Sequence, residues 1–470
     1  MPRVPSVRFR TRQRVVTSVA IAAVAALGLG ACGRSSSGGG GTTGGSTAPA
    51  SSASASSTAN AAGPGDFGTL KKICGPGTAK GATERGVTDT EIHIGVTADP
   101  GAAAAPGLEQ EFFDTADGFS KWCNAAGGIN GRKIVVDKLD AKLFNVGQVM
   151  TSACLKDFML VGNGNAFDSG GVKIRVGCKL GQIPAYVVSP EAVTAPYQAQ
   201  ATPVPPTQIN NGGIRLLAET YPDTKTGGVG IGSSTLASIA PVGLRTAEYL
   251  KDLGIKVAVV QSQPPLVDNY RPYMEQLKGS GARGYYGISA QDPSPIVQAM
   301  KNIGYNPSWI LYSPQFYGPQ AVAAAKATPV FPPSYVQFGA LPFELASQFP
   351  VLQQTESIVK GAVANPRLDA FTDSSFSAWT LWAESATECG STLTTTCVIQ
   401  KAQQHSDWTA GGLYPAHSTA LDAKASPCIA MVKLTPTGFI YDKAVTRPTD
   451  GVFNCDPENV KTVKTYLTTS

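Results

Sequence analysis

Seven short runs rich in Val, Ile and other apolar residues recur along the chain after residue 87, and segments with helical periodicity separate them. The runs lie at residues 92–96, 134–136, 158–161, 185–188, 229–231, 257–260 and 309–312. This alternation predicts an α/β fold with parallel sheets, because parallel neighbours need a crossover connection that is usually a helix. About 380 residues follow position 87, which is enough for two domains.

The first predicted helix shows the expected periodicity. Four apolar residues spaced i, i+4, i+7 and i+11 predict one buried stripe: Phe112, Ala116, Phe119 and Cys123. The dipeptide Asn130-Gly131 is the strongest turn signal in the chain, and it leads into the predicted strand that follows.

The N-terminal segment carries an export signal. Residues 1–31 contain five Arg and no acid, followed by an apolar run at 15–29 and the residues Leu29-Gly30-Ala31 before Cys32. This order predicts a lipoprotein signal peptide that is cleaved before Cys32, which then becomes the lipidated N-terminus. The alternative, a transmembrane helix, is disfavoured because about 16 apolar residues fall short of the roughly 20 that span a bilayer.

Removal of that segment changes the overall charge. The chain has 38 Lys plus Arg and 33 Asp plus Glu, so the loss of five Arg leaves 33 of each and a formal net charge of zero. A neutral chain gives no electrostatic case for a nucleic-acid partner.

A low-complexity segment follows Cys32. Residues 32–66 are rich in Gly, Ser, Thr and Ala, and they predict a flexible tether with an end-to-end distance of roughly 30 Å. Residues 67–86 form a leader that we expect Cys74 to pin to the folded domain.

Eight cysteines remain after Cys32, an even number that suits disulfides in an oxidising compartment. Eight cysteines allow 105 pairings. Sequence proximity favours Cys154–Cys178, Cys389–Cys397 and Cys428–Cys455, which leaves Cys74–Cys123.

Several segments carry a family resemblance. Residues 88–96 (TDTEIHIGV) and 124–134 (NAAGGINGRKI) resemble the opening of type I periplasmic binding proteins, and more narrowly the branched-chain amino acid receptors of ABC importers. The likeness continues through residues 160–162, 183–184, 189–190, 302–307 and 433–434.

The resemblance implies two Rossmann-like lobes with parallel central sheets, joined by a hinge of three chain crossings, with ligand enclosed between the lobes. We expect the crossings near residues 202–207, 306–313 and 414–419. Lobe I would then comprise residues 87–206 plus 312–415, and lobe II residues 207–311 plus 416–470. The loops at the carboxyl ends of the strands are expected to line the cleft.

The predicted cleft loops of lobe I depart from the family pattern. Asn163, Asn165 and the backbone of Ala166 can still contact a ligand, but Phe167 stands where the family places a carboxylate-binding hydroxyl. The next loop keeps Ser189 and adds an acid, so two further candidates are Glu191 and Ala192. Glu191 either contacts ligand, where it would repel a carboxylate, or caps a helix, and Phe167 is either a contact or a core residue.

The remaining candidates are Asp99, Ser289, Gln315 and Phe316. Asp99 has a ligand role or opens a turn before Pro100, with neither favoured. Gln315 stands where the family has an acid for the ligand ammonium, and Ser289 aligns with an expected tyrosine. Phe316 stacks on ligand or packs under the hinge, with packing favoured. These departures disfavour a leucine-like zwitterion, because an unpaired buried charge costs several kcal/mol.

Catalysis, a cofactor and a metal find little support in the sequence. The only histidines are His93, His405 and His417, there is no GxSxG or CxxC motif, and the loop at 162–167 has Phe where a dinucleotide fingerprint has its third glycine. The sequence therefore predicts a monomeric, lipid-anchored solute receptor outside the cytoplasm that serves an ABC permease. Alternatives are a ligand sensor of the same fold without a transporter and, less favoured, a hydrolase or transferase.

Overall fold

A computed structural model describes residues 63–103, 105–264, 267–288, 293–328 and 332–465. The predicted signal peptide, Cys32, nearly all of the tether and Ser289 lie outside the described residues. Within these residues, none of the helices combines the length and apolar character needed to cross a bilayer.

The first sheet has four parallel strands in the order β2-β1-β3-β4. Its strands are β1 Glu91–Ala98, β2 Lys133–Asp140, β3 Met159–Val161 and β4 Gly181–Ile183. The prediction of a strand at residues 185–188 was wrong. Pro184 follows β4 directly, and proline has no N–H to continue the pairing.

The second sheet has seven strands in the order β12-β11-β10-β9-β8-β6-β7. They are β6 Val229–Ser234, β7 Val257–Gln263, β8 Gly284–Gly287, β9 Trp309–Tyr312, β10 Ser334–Phe338, β11 Ala430–Thr435 and β12 Gly438–Tyr441. Strands β6 to β10 are parallel, whereas β11 pairs in antiparallel fashion with both β10 and β12. A separate antiparallel pair joins β5 Gln208–Asn210 to β13 Val460–Thr462.

The position of β10 corrects one predicted crossing. Residues 306–313 do not leave the second sheet, because β9 pairs in parallel with β10, which ends at Phe338. Strand β10 therefore belongs with the second sheet and not with lobe I. The sequence does not predict β10, because Ser334 and Gln337 interrupt its run of apolar residues.

The helices are α1 Gln110–Ala125, α2 Val146–Lys156, α3 Ser169–Gly177, α4 Pro190–Val193, α5 Gly212–Thr220, α6 Thr224–Gly227, α7 Ala240–Asp252, α8 Arg271–Ser280, α9 Ser294–Asn302, α10 Pro319–Ala327, α11 Pro350–Lys360, α12 Ala370–Cys389, α13 Thr395–Ala402 and α14 Lys443–Thr446. The predicted stripe on α1 is fully buried. Helix α12 packs on α1, β3 and β4, and α11 packs on α1, so the chain returns to the first sheet after β10.

The four disulfides pair as predicted. The bonds are Cys74–Cys123, Cys154–Cys178, Cys389–Cys397 and Cys428–Cys455. The first bond fastens the leader to the buried stripe of α1. The predicted α/β class with parallel central sheets is confirmed.

Candidate ligand-binding site

Asp99 follows β1 and holds two other loops in place. Its carboxylate is fully buried and accepts hydrogen bonds from the backbone N–H of Leu143 at 2.7 Å and of Ala166 at 3.0 Å. Burial raises the pKa of Asp99, and these hydrogen bonds act in the opposite direction. The structure thus gives Asp99 a role in shaping the loops after β2 and β3.

The two asparagines of the loop after β3 turn toward β1. Thr97 donates to Asn165 Oδ1 at 2.7 Å, and Asn163 Nδ2 lies 3.4 Å from the Thr97 hydroxyl. Both amides are buried. Phe167 is half-buried and makes an edge contact with Phe144, with ring centroids 6.3 Å apart.

Ser189 caps the short helix α4. Its hydroxyl accepts the N–H of Ala192 at 3.2 Å, and its own N–H donates to Asp168. Ala192 is buried, whereas Glu191 is exposed to solvent and the helix cap is Ser189. The cap hydrogen bond uses the hydroxyl that the family resemblance assigns to ligand binding.

The loop after β9 carries the other predicted residues. Gln315 Nε2 donates to the carbonyl of Ile288 at 2.7 Å. Phe316 is buried and stacks on Tyr312 at a centroid distance of 4.2 Å, which agrees with the favoured packing role.

The loops at the carboxyl ends of the two sheets contact each other. Ser238, which follows β6, donates to the carbonyl of Ala166 at 2.5 Å. Around this bond, apolar residues of both lobes form one cluster that includes Ala102, Leu143, Leu236 and Ile239. The two sheets therefore face each other through their cleft loops, as the loops of a closed two-lobed protein do.

A cavity of about 350 Å³ lies beside these loops, at the segments that connect the two sheets. Its apolar wall comes from both lobes and includes Val187, Val193, Pro203, Val204, Val242 and Ile429. Its polar lining includes Gln208, Asn211, Arg245, Gln337, Tyr414 and His417. We call it the hinge cavity.

Several solved structures with a similar architecture are those of substrate-binding proteins. A fatty acid ABC transporter substrate-binding protein from Thermomonospora curvata matches with a TM-score of 0.63 and 16% identity over 82% of this chain and 95% of that chain. A leucine-binding protein from Thermotoga maritima matches with a TM-score of 0.58 and 12% identity, over 75% of this chain and 97% of that chain. The isoleucine complex of a branched-chain amino acid transporter substrate-binding protein from Streptococcus pneumoniae matches with a TM-score of 0.58 and 14% identity, over 75% of this chain and 99% of that chain.

The chain has the type I periplasmic binding protein fold. No protein-family model and no curated protein matches the sequence. Since the structural matches share the fold at low identity, the residues that contact ligand have to be argued from this chain's own geometry.

The hinge cavity is lined by residues from both sheets' loops and from the segments that connect the sheets, and the predicted ligand residues do not line it. Asn163, Asn165 and Ala192 instead line a separate space of about 20 Å³, room for about one water. A ligand role for the predicted residues stays a prediction. The cavity residues were missed, because Val204, Arg245 and His417 lie far apart in sequence and belong to no motif.

Arg245 and His417 are the cavity's basic side chains. Arg245 is 9% exposed, and its Nη2 donates to the carbonyls of Gln208 and Pro205. Both ring nitrogens of His417 lie 2.8 Å from carbonyl oxygens, those of Pro415 and Ala201. His417 therefore joins two of the segments that connect the lobes.

A second missed feature is the pair Glu109 and Tyr186. The Tyr186 hydroxyl donates to Glu109, and its ring stacks on Phe371 with centroids 5.5 Å apart. Burial raises the pKa of Glu109 well above its usual range, and the nearby Asp99 adds to the shift. An acid just before a helix normally suggests an exposed helix N-terminus, so the burial of Glu109 could not be predicted from the sequence.

A third missed feature is an ion cluster between α1 and α12. Arg367 contacts Glu111 and lies 3.3 Å from Asp369 Oδ2, and both acids are fully buried. Asp369 also caps α12, accepting the N–H groups of Phe371 and Thr372. Burial, then the charge of Asp369, raises the pKa of Glu111 well above its usual range.

Proposed function

We propose that this protein is an extracytoplasmic solute-binding protein that encloses a small polar or amphipathic molecule between its lobes and delivers it to an ABC importer. The proposal rests chiefly on the hinge cavity. Its volume of about 350 Å³ falls within the 300–1,000 Å³ typical of small-molecule sites. Its walls come from both lobes of a fold that the matched substrate-binding proteins share.

A thermal-shift screen tests solute binding. The full-length chain is heated with amino acids, amides, polyamines, aromatic acids and aliphatic acids, because a solute that binds only the folded state raises the melting temperature. At a hundredfold excess over Kd the stabilisation amounts to about 2.7 kcal/mol. If no solute gives a saturable shift, the proposed function is wrong.

The delivery step and the anchor need tests in cells. Deletion of the gene is expected to abolish high-affinity uptake of the solute identified in the screen. Cys32→Ala is expected to prevent lipidation, so that the protein moves from the membrane fraction to the medium. Uptake that persists in the deletion strain would contradict a transport role, and a C32A protein that stays with the membrane would contradict the anchor.

Asn163, Asn165, Ser189 and Gln315 remain proposed contacts for a ligand held at the cleft loops. Alanine substitution of each, assayed against the solute found in the screen, decides between these loops and the hinge cavity.

A further inference from the structure

A buried hydrogen bond crosses from one lobe to the other. The Ser238 hydroxyl donates to the carbonyl of Ala166 at 2.5 Å, and both residues are buried. Ser238 lies in the loop after β6, whereas Ala166 lies in the loop after β3, so the bond joins the lobe of the second sheet to the lobe of the first. Separation of the lobes breaks this bond.

Asp99 positions the two residues through which the first lobe makes this contact. One oxygen of its buried carboxylate accepts the N–H of Leu143, and the other accepts the N–H of Ala166. Leu143 has a φ of 75°, a left-handed conformation that a residue other than glycine keeps only where the surrounding structure holds it. The hydrogen bond to Asp99 supplies such a constraint.

Apolar side chains reinforce the polar bond. Leu143 and Ala166 of the first lobe are buried, and they share one cluster with Leu236 and Ile239 of the second lobe. Burial of apolar surface is favourable but has no preferred direction. The cluster therefore favours contact between the lobes, and the directional bond from Ser238 to Ala166 fixes how the lobes meet.

The loop of the second lobe is held from its own side and leads into the hinge cavity. The N–H of Leu236 donates to the Ser234 hydroxyl at 3.1 Å, and α7 begins two residues after Ser238. Helix α7 carries Val242 and Arg245, which line the hinge cavity. Movement of Ser238 away from Ala166 therefore also moves one wall of that cavity.

From these contacts we infer that Ser238, Ala166 and Leu143 form an interlobe latch, which Asp99 positions and which holds the lobes closed over the hinge cavity. The latch slows the release of an enclosed solute, because the lobes separate only when this contact breaks. The inference rests on the proposed function, and it names the contact that regulates closure of the proposed site.

Hydrogen–deuterium exchange of the full-length chain, followed by mass spectrometry, tests the latch without any solute. The N–H groups of Leu143 and Ala166 belong to buried residues at the contact, so separation of the lobes promotes their exchange. Ser238→Ala removes the bond and keeps the backbone. Loss of one hydrogen bond shifts such an equilibrium by about 2- to 10-fold, and we expect peptides containing Leu143 or Ala166 to exchange faster by that factor.

Ser334→Ala is the matched control. Ser334 is as buried as Ser238 and lies in the same lobe, and its hydroxyl also donates to a backbone carbonyl, that of Pro332 at 2.8 Å. S334A loses a bond of the same kind within one lobe, so exchange at Leu143 and Ala166 is expected to stay as in the wild type. An equal rise in S238A and S334A, or no rise in S238A, would overturn the inference.

Asp99→Asn tests the positioning role of Asp99. A carboxamide accepts hydrogen bonds through one oxygen only, so D99N loses one of the two N–H contacts. We expect faster exchange at Leu143 and Ala166 and also in the loop around Ser238, which belongs to the other lobe. A rise confined to the first lobe would contradict the positioning role. Exchange needs no solute, so a failed latch leaves solute binding untouched, and a failed solute screen leaves the measured contact between the lobes unchanged.

Discussion

The carboxyl edge of the first sheet and the hinge cavity differ in charge. Five acids are buried where β1, α1 and α12 meet: Asp99, Glu109, Glu111, Asp369 and Asp373. Among the described residues, those that line the hinge cavity include Arg245 and His417 and no carboxylate. The acids have structural partners or raised pKa values, so their burial near the cleft does not mark a cation site.

The largest expected effect comes from breaking the ion cluster of the first lobe. Arg367→Met removes the cation from between Glu111 and Asp369, and it leaves two buried acids facing each other. We expect a loss of about 3 kcal/mol in the free energy of unfolding, measured with urea, because removing one partner of a buried pair leaves the other uncompensated.

Lys360→Met is the matched control for R367M. Lys360 pairs with Glu356 on the surface of α11, and its side chain is 55% exposed. An exposed pair contributes about 0–1 kcal/mol. Equal losses in the two variants would show that the cluster does not stabilise the first lobe.

His417→Ala tests the hinge, and its effect is expected to be somewhat smaller. The variant loses the imidazole N–H that donates to one of the two carbonyl oxygens, that of Pro415 or that of Ala201, and leaves that oxygen without this partner, at a cost of about 2 kcal/mol. His405→Ala is the control, since His405 lies 3.9 Å from Glu384 and is partly exposed. If H405A destabilised the protein as much as H417A, the role of His417 in joining two segments that connect the lobes would be contradicted.

Glu109→Gln tests the protonation of a buried acid. The pKa of folded Glu109 is raised by burial, so the folded state keeps a proton that the unfolded chain releases above pH ~4.3. The stability of the wild type therefore falls as the pH rises from that value toward the folded pKa. Glutamine cannot ionise, so E109Q is expected to flatten this slope, and its stability relative to the wild type is expected to be higher at pH 8 than at pH 5.

Urea unfolding at pH 5 and pH 8 measures the effect, with Glu356→Gln as the control, because the Glu356 side chain is only partly buried. A steeper pH dependence in E109Q than in the wild type would mean that Glu109 is ionised in the folded protein.

The sequence predicted the strands whose residues are mostly aliphatic and did not predict a strand that contains several polar residues. The runs in β1, β2, β6 and β7 gave the α/β class, whereas β10 (SYVQF) contains polar residues and was assigned to the wrong lobe. The disulfides followed from proximity, because short loops bring their ends together at low entropic cost.

The site was harder to predict because the fold assembles it from distant residues. Glu109 and Tyr186 are 77 positions apart, and Ala201 and His417 are 216 apart. Motif alignment found Ser189 and Gln315, whose polar groups make bonds within the protein. It could not find Arg245, since a single arginine on a helix carries no spacing signal.

The smallest expected effect separates the loop site from the hinge cavity. Glu191 is exposed, so Glu191→Ala is expected to change the free energy of unfolding by no more than about 0.5 kcal/mol and the solute affinity by less than twofold. Ser189→Ala, two residues earlier, is expected to cost about 1 kcal/mol through loss of the helix cap. A tenfold change of solute affinity in E191A would indicate that the solute binds at the loops and not in the hinge cavity, because an exposed carboxylate can exert that effect only on a ligand close to it.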